Sequence, residues 1–511
     1  MSFSKIFSGN LPELTENIIK YFRNDFSTLY SCVLVNRFWC RLAIPLLWEN
    51  PFSITEHSIR AKNHNFIGIY LHNLNDELKT ELYKYNINDN LLPSNTLFNY
   101  PSFIKYLNLL KIPKSVIKWF KPFTQKTSFN PEKNIIKLII ISLSKMFIEN
   151  EVNLHTLKIE INTSHISYID DILELFLQNT NFISNIKNLK LSIIHSYVET
   201  LLVNNRISQI INSHQNLKKI VLCNSIDDFL FYQSLLLSKD CNCSNTLNTI
   251  TLYNINLEGM INLNKMFEQL NVLESVHIIY CHSLNTNIIQ QIINLTKPFK
   301  LKSLFMDERS KIDESLSLLL QKSGDYLENL CVDRSGQQIF ESVTKYCKNI
   351  KFFKIHGIKD TGVYPVLNLV ENTKQNLNCL IISNKCLNGS SIILKNLGQI
   401  LPSKLEYLDL TLFIKASDFE VFLKDSKGTF IKKLLIRDLI QEDKNNILTY
   451  RYIKEYIMKE KRVRYLNFSI YNYEELFHFS EEAKEFKLHN IEIQSYNDLY
   501  INIYRFAQKL D

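Results

Sequence analysis

The sequence predicts an α/β chain: an N-terminal all-α unit of three helices, a helical linker, then a long strand–helix solenoid with a parallel sheet inside and helices outside. Three observations predict it. A short apolar motif recurs thirteen times from residue 154 onward. Apolar stripes at helical spacing fill the gaps between copies. Only 10 Gly and 11 Pro occur in 511 residues, whereas an all-β sandwich uses a Gly- or Pro-bearing turn about every 8–12 residues.

Length and composition set the frame. A chain of 511 residues is longer than one ordinary domain, and 45% apolar with 22% charged residues excludes global disorder. The net charge of +8 is local. Residues 1–150 hold 18 Lys/Arg against 11 Asp/Glu, and the remainder holds 41 against 40. Nucleic-acid binding through a general basic face is therefore not expected. The ten cysteines are scattered through apolar stretches, which reads as reduced thiols. Met1–Asn10 lacks the apolar core of a secretory signal, and Ile135–Ile148 is too short to span a bilayer. No membrane association is expected, and the expected compartment is cytoplasmic and/or nuclear.

The first element is residues 1–52. Leu11-Pro12-Glu13-Leu14 opens a helix, with Pro12 in the first turn, where a missing N–H costs nothing. Leu14, Ile18 and Phe22 repeat at helical spacing. A second helix is expected after Asp25 or Ser27, and a third carries Phe38, Trp39 and Leu42 into Pro45-Leu46-Leu47-Trp48. Such a unit sits at the limit of independent folding. Its apolar residues exceed what three short helices can hide among themselves, which implies a partner surface.

The second element, residues 53–150, reads as a mostly helical linker that caps one end of the solenoid, with polar Asn86–Asn99 as a loop. Residues 105–145 carry nine Lys and one acid, Glu132, interleaved with Tyr106, Trp119, Phe120 and Phe123. A helical cap with solvated lysines is the plain reading. Contact with an acidic neighbour is the sharper one, and RNA binding a third.

The third element, residues 151–511, holds about thirteen copies of apolar-x-x-apolar-x-apolar and a C-terminal helix. Leu154/Leu157/Ile159 is the first copy, Leu327/Leu330/Val332 a middle one and Leu488/Ile491/Ile493 the last. Copies follow at steps of 23 to 32 residues. Helices are expected at Ile169–Gln178, Leu263–Leu270, Asn287–Leu295, Glu314–Lys322, Gln337–Cys347, Asp418–Lys424 and Arg451–Lys459. One unit cannot bury its strand face alone, so stacking is required. Asp498–Asp511, with Leu499, Ile503, Phe506 and Leu510 on one face, is expected to close the far end. The residue between the last two apolar positions should face the concave side. Lys158, Lys190, His277, Phe305, Lys354, Asp409 and Glu492 are the candidate target-binding residues there.

This third element resembles the leucine-rich-repeat proteins. It departs from them at the Asn or Cys that follows each strand: Cys281 matches, but Ser225, Ile255, Arg309 and Ser335 stand at corresponding positions. That implies a broken side-chain ladder and irregular curvature. The first element resembles an F-box: Leu11-Pro12 and Ile18 fit its start, Val35-Asn36-Arg37-Phe38-Trp39 its middle and Leu47-Trp48 its end. Asn36 stands where Cys is usual, a difference expected to concern packing. The resemblance implies docking on a Skp1-like adaptor, and through it a cullin, by Leu11, Pro12, Leu14, Ile18, Val35, Trp39, Leu47 and Trp48.

Together the two resemblances imply the substrate-recognition subunit of an SCF-type (Skp1–cullin–F-box) E3 ubiquitin ligase. It would act by proximity, with no chemistry on this chain. The alternative is a leucine-rich-repeat interaction scaffold without a ligase role. No enzyme motif is found: Gly357 and Gly362 have phosphate-loop spacing but are followed by Val363-Tyr364. Cys241-x-Cys243 with Cys281-His282 is atypically spaced for zinc. No catalytic residue, metal or cofactor is expected.

Overall fold

Strands form where the motif recurs. The computed structural model describes residues 12–23, 25–53, 65–71, 76–84, 87, 96–123, 132–193, 200–223, 232, 234, 236–237, 242–310, 314–333, 337–440, 443–470, 474–475 and 481–510. Leu11, Ser225, Cys241, Ser335 and most of Asn86–Asn99 lie outside them. The chain divides into two compact units, Met1–Leu247 and Asn248–Asp511.

The first unit holds β1 (Tyr106–Asn108), β2 (Thr156–Ile161), β3 (Asn188–Ile193) and β4 (Lys219–Cys223), parallel and in chain order. Leu107, Leu157, Leu189 and Ile220 stand in register across them. β1 corrects the expectation of a purely helical linker. Ile104-x-x-Leu107-x-Leu109 is itself a copy of the motif, almost fully buried. Its distance to the next copy, filled by helices Lys111–Phe120 and Glu132–Glu149, falls outside the period of the others.

The second unit holds β5 (Thr249–Tyr253), β6 (Ser275–Ile279), β7 (Leu301–Phe305), β8 (Asn329–Asp333), β9 (Phe352–His356), β10 (Cys379–Ser383), β11 (Tyr407–Leu412), β12 (Ile431–Asp438) and β13 (Val463–Ile470), again parallel. Leu304, Leu330, Phe353, Leu380, Leu408, Leu434 and Leu466 form one buried row. β14 (Glu474–Glu475) runs antiparallel to β13, and β15 (Glu492–Ile493) pairs parallel with it. So each of the thirteen expected copies carries a strand.

The expected helices appear as Ile166–Gln178, Leu263–Gln269, Thr286–Ile293, Ser315–Ser323, Gln337–Tyr346 and Ala416–Asp425. Near Arg451–Lys459 the chain is α-helical over Asp443–Tyr452 and π-helical over Ile453–Met458. Neighbouring helices pack on one another. Motif side chains face these helices, and the residues between them alternate to the other, helix-free face.

Register departs from the motif twice. Ile278, not Val276, pairs with Leu304, and Leu466 pairs with Ile493 rather than Ile491. A slip of two residues keeps each side chain on its face but changes its row. His277 therefore aligns with Ser303, and Glu492 with Tyr465. Leu488, the first position of the last copy, is exposed.

The expectation of a broken ladder also needs correction. Cys281 donates from Sγ to the Leu252 carbonyl at 3.5 Å. Elsewhere polar side chains at neighbouring positions do the same work. Ser310 Oγ donates to the Cys281 carbonyl at 3.1 Å. Asp438 Oδ1 accepts from the backbone N–H groups of Ile414 and Ile440, at 3.0 and 2.8 Å. Buried turn backbone must find partners, and here the next repeat supplies them without a fixed position.

At the N-terminus, α1 (Pro12–Tyr21), α2 (Phe26–Val33) and α3 (Arg37–Leu47) pack around Ile19, Leu29, Cys32, Trp39, Ala43 and Leu46. Asp25 caps α2 by accepting from the Thr28 N–H. Asn36 caps α3 by accepting from the Trp39 N–H at 2.9 Å. The residue expected to matter for packing thus starts a helix, a cap worth about 1 kcal/mol. Buried Glu49 follows α3. Its carboxylate accepts from Arg23 at 2.9 Å and Lys105 at 2.7 Å. Its carbonyl accepts from the N–H groups of Lys105 and Tyr106. One residue thereby ties the three helices to strand β1.

Scarce glycine is spent on close approach. A Cβ at Gly398, in the helix Leu387–Ile400, would lie 2.7 Å from the Phe422 carbonyl oxygen of the next helix. Helix propensity alone makes Gly→Ala favourable by about 1 kcal/mol. Overpacking against backbone costs about 1–3 kcal/mol. Gly398→Ala is therefore expected to destabilise the chain. A raised midpoint in urea unfolding would show that the two helices separate freely.

Candidate functional site

Two surfaces carry the residues singled out in the sequence. The first lies on α1–α3. Pro12, Leu14 and Val35 are exposed, whereas Ile18 and Leu47 are half-buried. Trp39 and Trp48 also pack within the chain, and Trp48 is half-buried like Ile18 and Leu47. Trp39 is buried in the three-helix core. Trp48 packs on Tyr70 and Tyr100, with ring centroids 5.4 and 4.2 Å away. Large aromatic surface is best hidden inside a unit this small. The outward apolar residues also include Tyr21, Phe26, Tyr30 and Leu34, which the sequence reading missed; Tyr21 is 88% and Leu34 72% exposed. Phe26, Tyr30 and Leu34 lie beyond the helix of the Leu14/Ile18/Phe22 stripe, whereas Tyr21, three residues after Ile18, stands on the same face.

The basic segment turns its apolar residues inward. Ile112, Val116, Trp119 and Phe120 are buried beneath it. Lys105 pairs with Glu49, and Lys137 with Asp171 at 2.7 Å.

The second surface is the helix-free sheet face. In the first unit it holds half-buried Lys158 and Lys190, adjacent in register. Lys158 pairs with Glu160. Burial, then the charges of Lys219 and Lys158, push Lys190 down to about 8.

In the second unit this face is covered by the chain's own C-terminal segment. Beyond β15, helices α4 (Tyr496–Leu499) and α5 (Ile503–Lys509) lie on it. The expected apolar face is real, since Leu499 and Ile503 are buried while Phe506 and Leu510 are partly so. Its place is not the end of the stack. Leu499, Ile503 and Ala507 pack against Ile279, Phe305, Phe352, Ile381 and Leu435, and covering that apolar sheet removes more surface from water than capping one edge. Phe506 lies 4.7 Å from Phe352 and 5.9 Å from Phe305, centroid to centroid. Tyr504 meets Tyr253 at 5.0 Å.

This placement covers part of the candidate target-binding set. Phe305 and Asp409 are buried in the covered face, and His277 is buried with its Nδ1 2.8 Å from Ser303 Oγ. Lys354 stays half-buried, and Glu492 sits at the edge, 2.8 Å from Arg464. A cleft of about 530 Å³ remains beside the segment, with His277, Lys302, Glu328, Lys351, Glu406 and Lys509 in its lining.

Asp409 is the buried charge beneath the segment. Tyr496 donates from its hydroxyl to Asp409 Oδ2 at 3.3 Å. The Arg437 guanidinium lies 4.0 Å from the Tyr496 ring centroid. Burial pushes the Asp409 carboxyl up to about 6, while Arg437, Tyr496 and Lys354 oppose the shift. Cys331 and Cys379 lie under the same segment, and burial raises both thiols, Cys331 to about 11. Cys243 and Cys281 bond separately to the carbonyls of Ile211 and Leu252. Among the described residues, no His/Cys/Asp/Glu group could hold a metal, and no helix is long and apolar enough to cross a membrane.

No protein-family model matches the chain, and no curated protein matches it. Its functional reading therefore rests on its own residues.

The Asp409 shift has a defined pH consequence. The folded carboxyl titrates near 6, against an ordinary value of 3.8, so the folded state binds more protons between those values. Its contribution to stability is fully present below about 4 and is lost as pH rises through about 6. Wild type is thus expected to gain stability relative to Asp409→Asn on going from about pH 7.5 to about pH 4.5, read as denaturation midpoints. Equal midpoint differences at both pH values would contradict a buried carboxylate here.

Proposed function

We propose that this chain is the substrate-recognition subunit of an SCF-type E3 ubiquitin ligase. In this reading α1–α3 are an F-box that docks on a Skp1-like adaptor, and the repeats hold a protein target. One observation carries the reading: a three-helix unit of minimal size turns Leu14, Tyr21, Phe26, Tyr30, Leu34 and Val35 outward. Apolar surface rimmed by polar residues marks an interaction site. Of the F-box pattern, Pro12 and Ile18 fall on α1, Val35 in the turn before α3, and Arg37 and Trp39 on α3. Glu49 supports the reading further, because an adaptor that works by proximity needs its docking helices fixed to its sheet.

Trp39→Ala is a poor test, since loss of a buried Trp costs about 3–5 kcal/mol by itself. Leu14→Asp with Val35→Asp changes exposed positions. In pulldown with purified Skp1, this pair of substitutions is expected to lower retention about tenfold or more while the melting curve holds. If wild type and variant retain Skp1 equally poorly, the receptor reading fails and an interaction scaffold stands in its place.

A further inference from the structure

We propose that the C-terminal segment Tyr496–Leu510 is a releasable strap. It occupies the sheet face on which the second unit takes a target, and the ligand that replaces it is a helical peptide segment with aromatic anchors. The second half of this proposal rests on the receptor reading above; the first half does not.

The segment is built to depend on what it covers. Its helices have four and seven residues, far below the roughly 12–15 needed for a helix to persist alone. Ser495 and Asn502 cap them, accepting from the Asp498 and Arg505 N–H groups. Order beyond those caps comes from the face, through the rings of Tyr496, Tyr504 and Phe506 and the side chains of Leu499, Ile503 and Ala507. This is a helix laid in an apolar groove, the way many proteins take peptide ligands.

The repeats do not need the strap for their main core. The row from Leu304 to Leu466 is buried on the opposite, helix-covered face. Lifting the strap leaves that row and the sheet hydrogen bonds in place. It uncovers Ile279, Phe305, Phe352, Ile381 and Leu435 together, a patch of the kind soluble proteins do not leave bare. Release therefore calls for a replacement of like chemistry: an apolar helix face, an aromatic ring for the Phe305–Phe352 pair, and a hydroxyl or other donor for Asp409.

Native thiols report the event. Cys331 and Cys379 lie under the strap, whereas Cys281 and Cys347 are buried away from it. N-Ethylmaleimide labelling of the full chain in native buffer, mapped by mass spectrometry, reads all four. Cys331 and Cys379 are expected to label about tenfold or more faster than Cys281 and Cys347, because local opening precedes global unfolding. Phe506→Ala should speed the first pair about tenfold again and leave the second pair unchanged. A synthetic peptide of residues 495–511, in excess, should restore protection of that variant where a scrambled peptide does not. Four equal rates in both proteins overturn the strap, since the segment then opens only when everything does. Fast labelling of the first pair with no protection by the peptide overturns the replacement ligand. Neither readout depends on Skp1, so a failed docking assay would remove the receptor reading and leave the strap standing.

Discussion

Each strand of this chain has two faces, and the connections between strands bring their helices to one of them. That mismatch governs the structure. A parallel strand feeding a helix that returns to the next strand places all helices on one side, so the motif positions are buried and the residues between them are left over. The rest of the molecule answers the question of what happens on the leftover side. In the first unit that side holds half-buried Lys158, Lys190 and Glu160 beside buried Ser192, Val221 and Cys223. In the second unit it carries Ile279, Phe305, Phe352, Ile381 and Leu435 among polar residues such as Lys354 and Asp409, and the chain returns to cover it.

The same constraint explains the register slips and the ladder. Stacking requires the apolar row to stay continuous; it does not require each copy to start at the same residue. Between β6 and β7 the chain moves two residues, keeping Leu304 in the row and exchanging Phe305 for Ser303 as the partner of His277. Turn backbone is handled with similar tolerance, by Cys281, Ser310 and Asp438 at differing offsets from their strands. A solenoid with sparse glycine can afford this, because its neighbours contact one another through side chains that adapt.

Much of this was legible in the residues, because periodicity encodes burial on the helix side. Thirteen strands and most helices follow from the motif alone. Of the two missed strands, β14 lacks the motif, and β1 carries it at an uncharacteristic distance, so a search by period passes over Leu107. The strap was half legible. Leu499, Ile503, Phe506 and Leu510 announce an apolar helical face, yet nothing in the spacing says which surface meets it. That depends on residues such as Phe305 and Leu435, read one at a time as x positions, whose sum as an apolar sheet emerges only when the strands are aligned. Trp39 and Trp48 are ambiguous in the sequence because an exposed motif and a small core use the same residue types. Only packing separates them.

The chemistry under the strap bears on how tightly it is held. A segment meant only to complete a core would meet an apolar row from end to end. Here the row is interrupted by half-buried Lys354 and by Asp409, and Asp409 must give up water to be covered. Tyr496, Arg437 and Lys354 return part of that loss through a hydrogen bond and nearby positive charge. The remainder opposes closure and raises the carboxyl toward neutrality. At the other end Phe506 between Phe305 and Phe352 carries no such penalty. The strap is therefore held firmly at its aromatic end and weakly at its polar end. Opening is expected to begin at Tyr496, next to the two-residue strand β15, and to run toward Phe506, so that a competing segment enters at Asp409 before it must displace the rings.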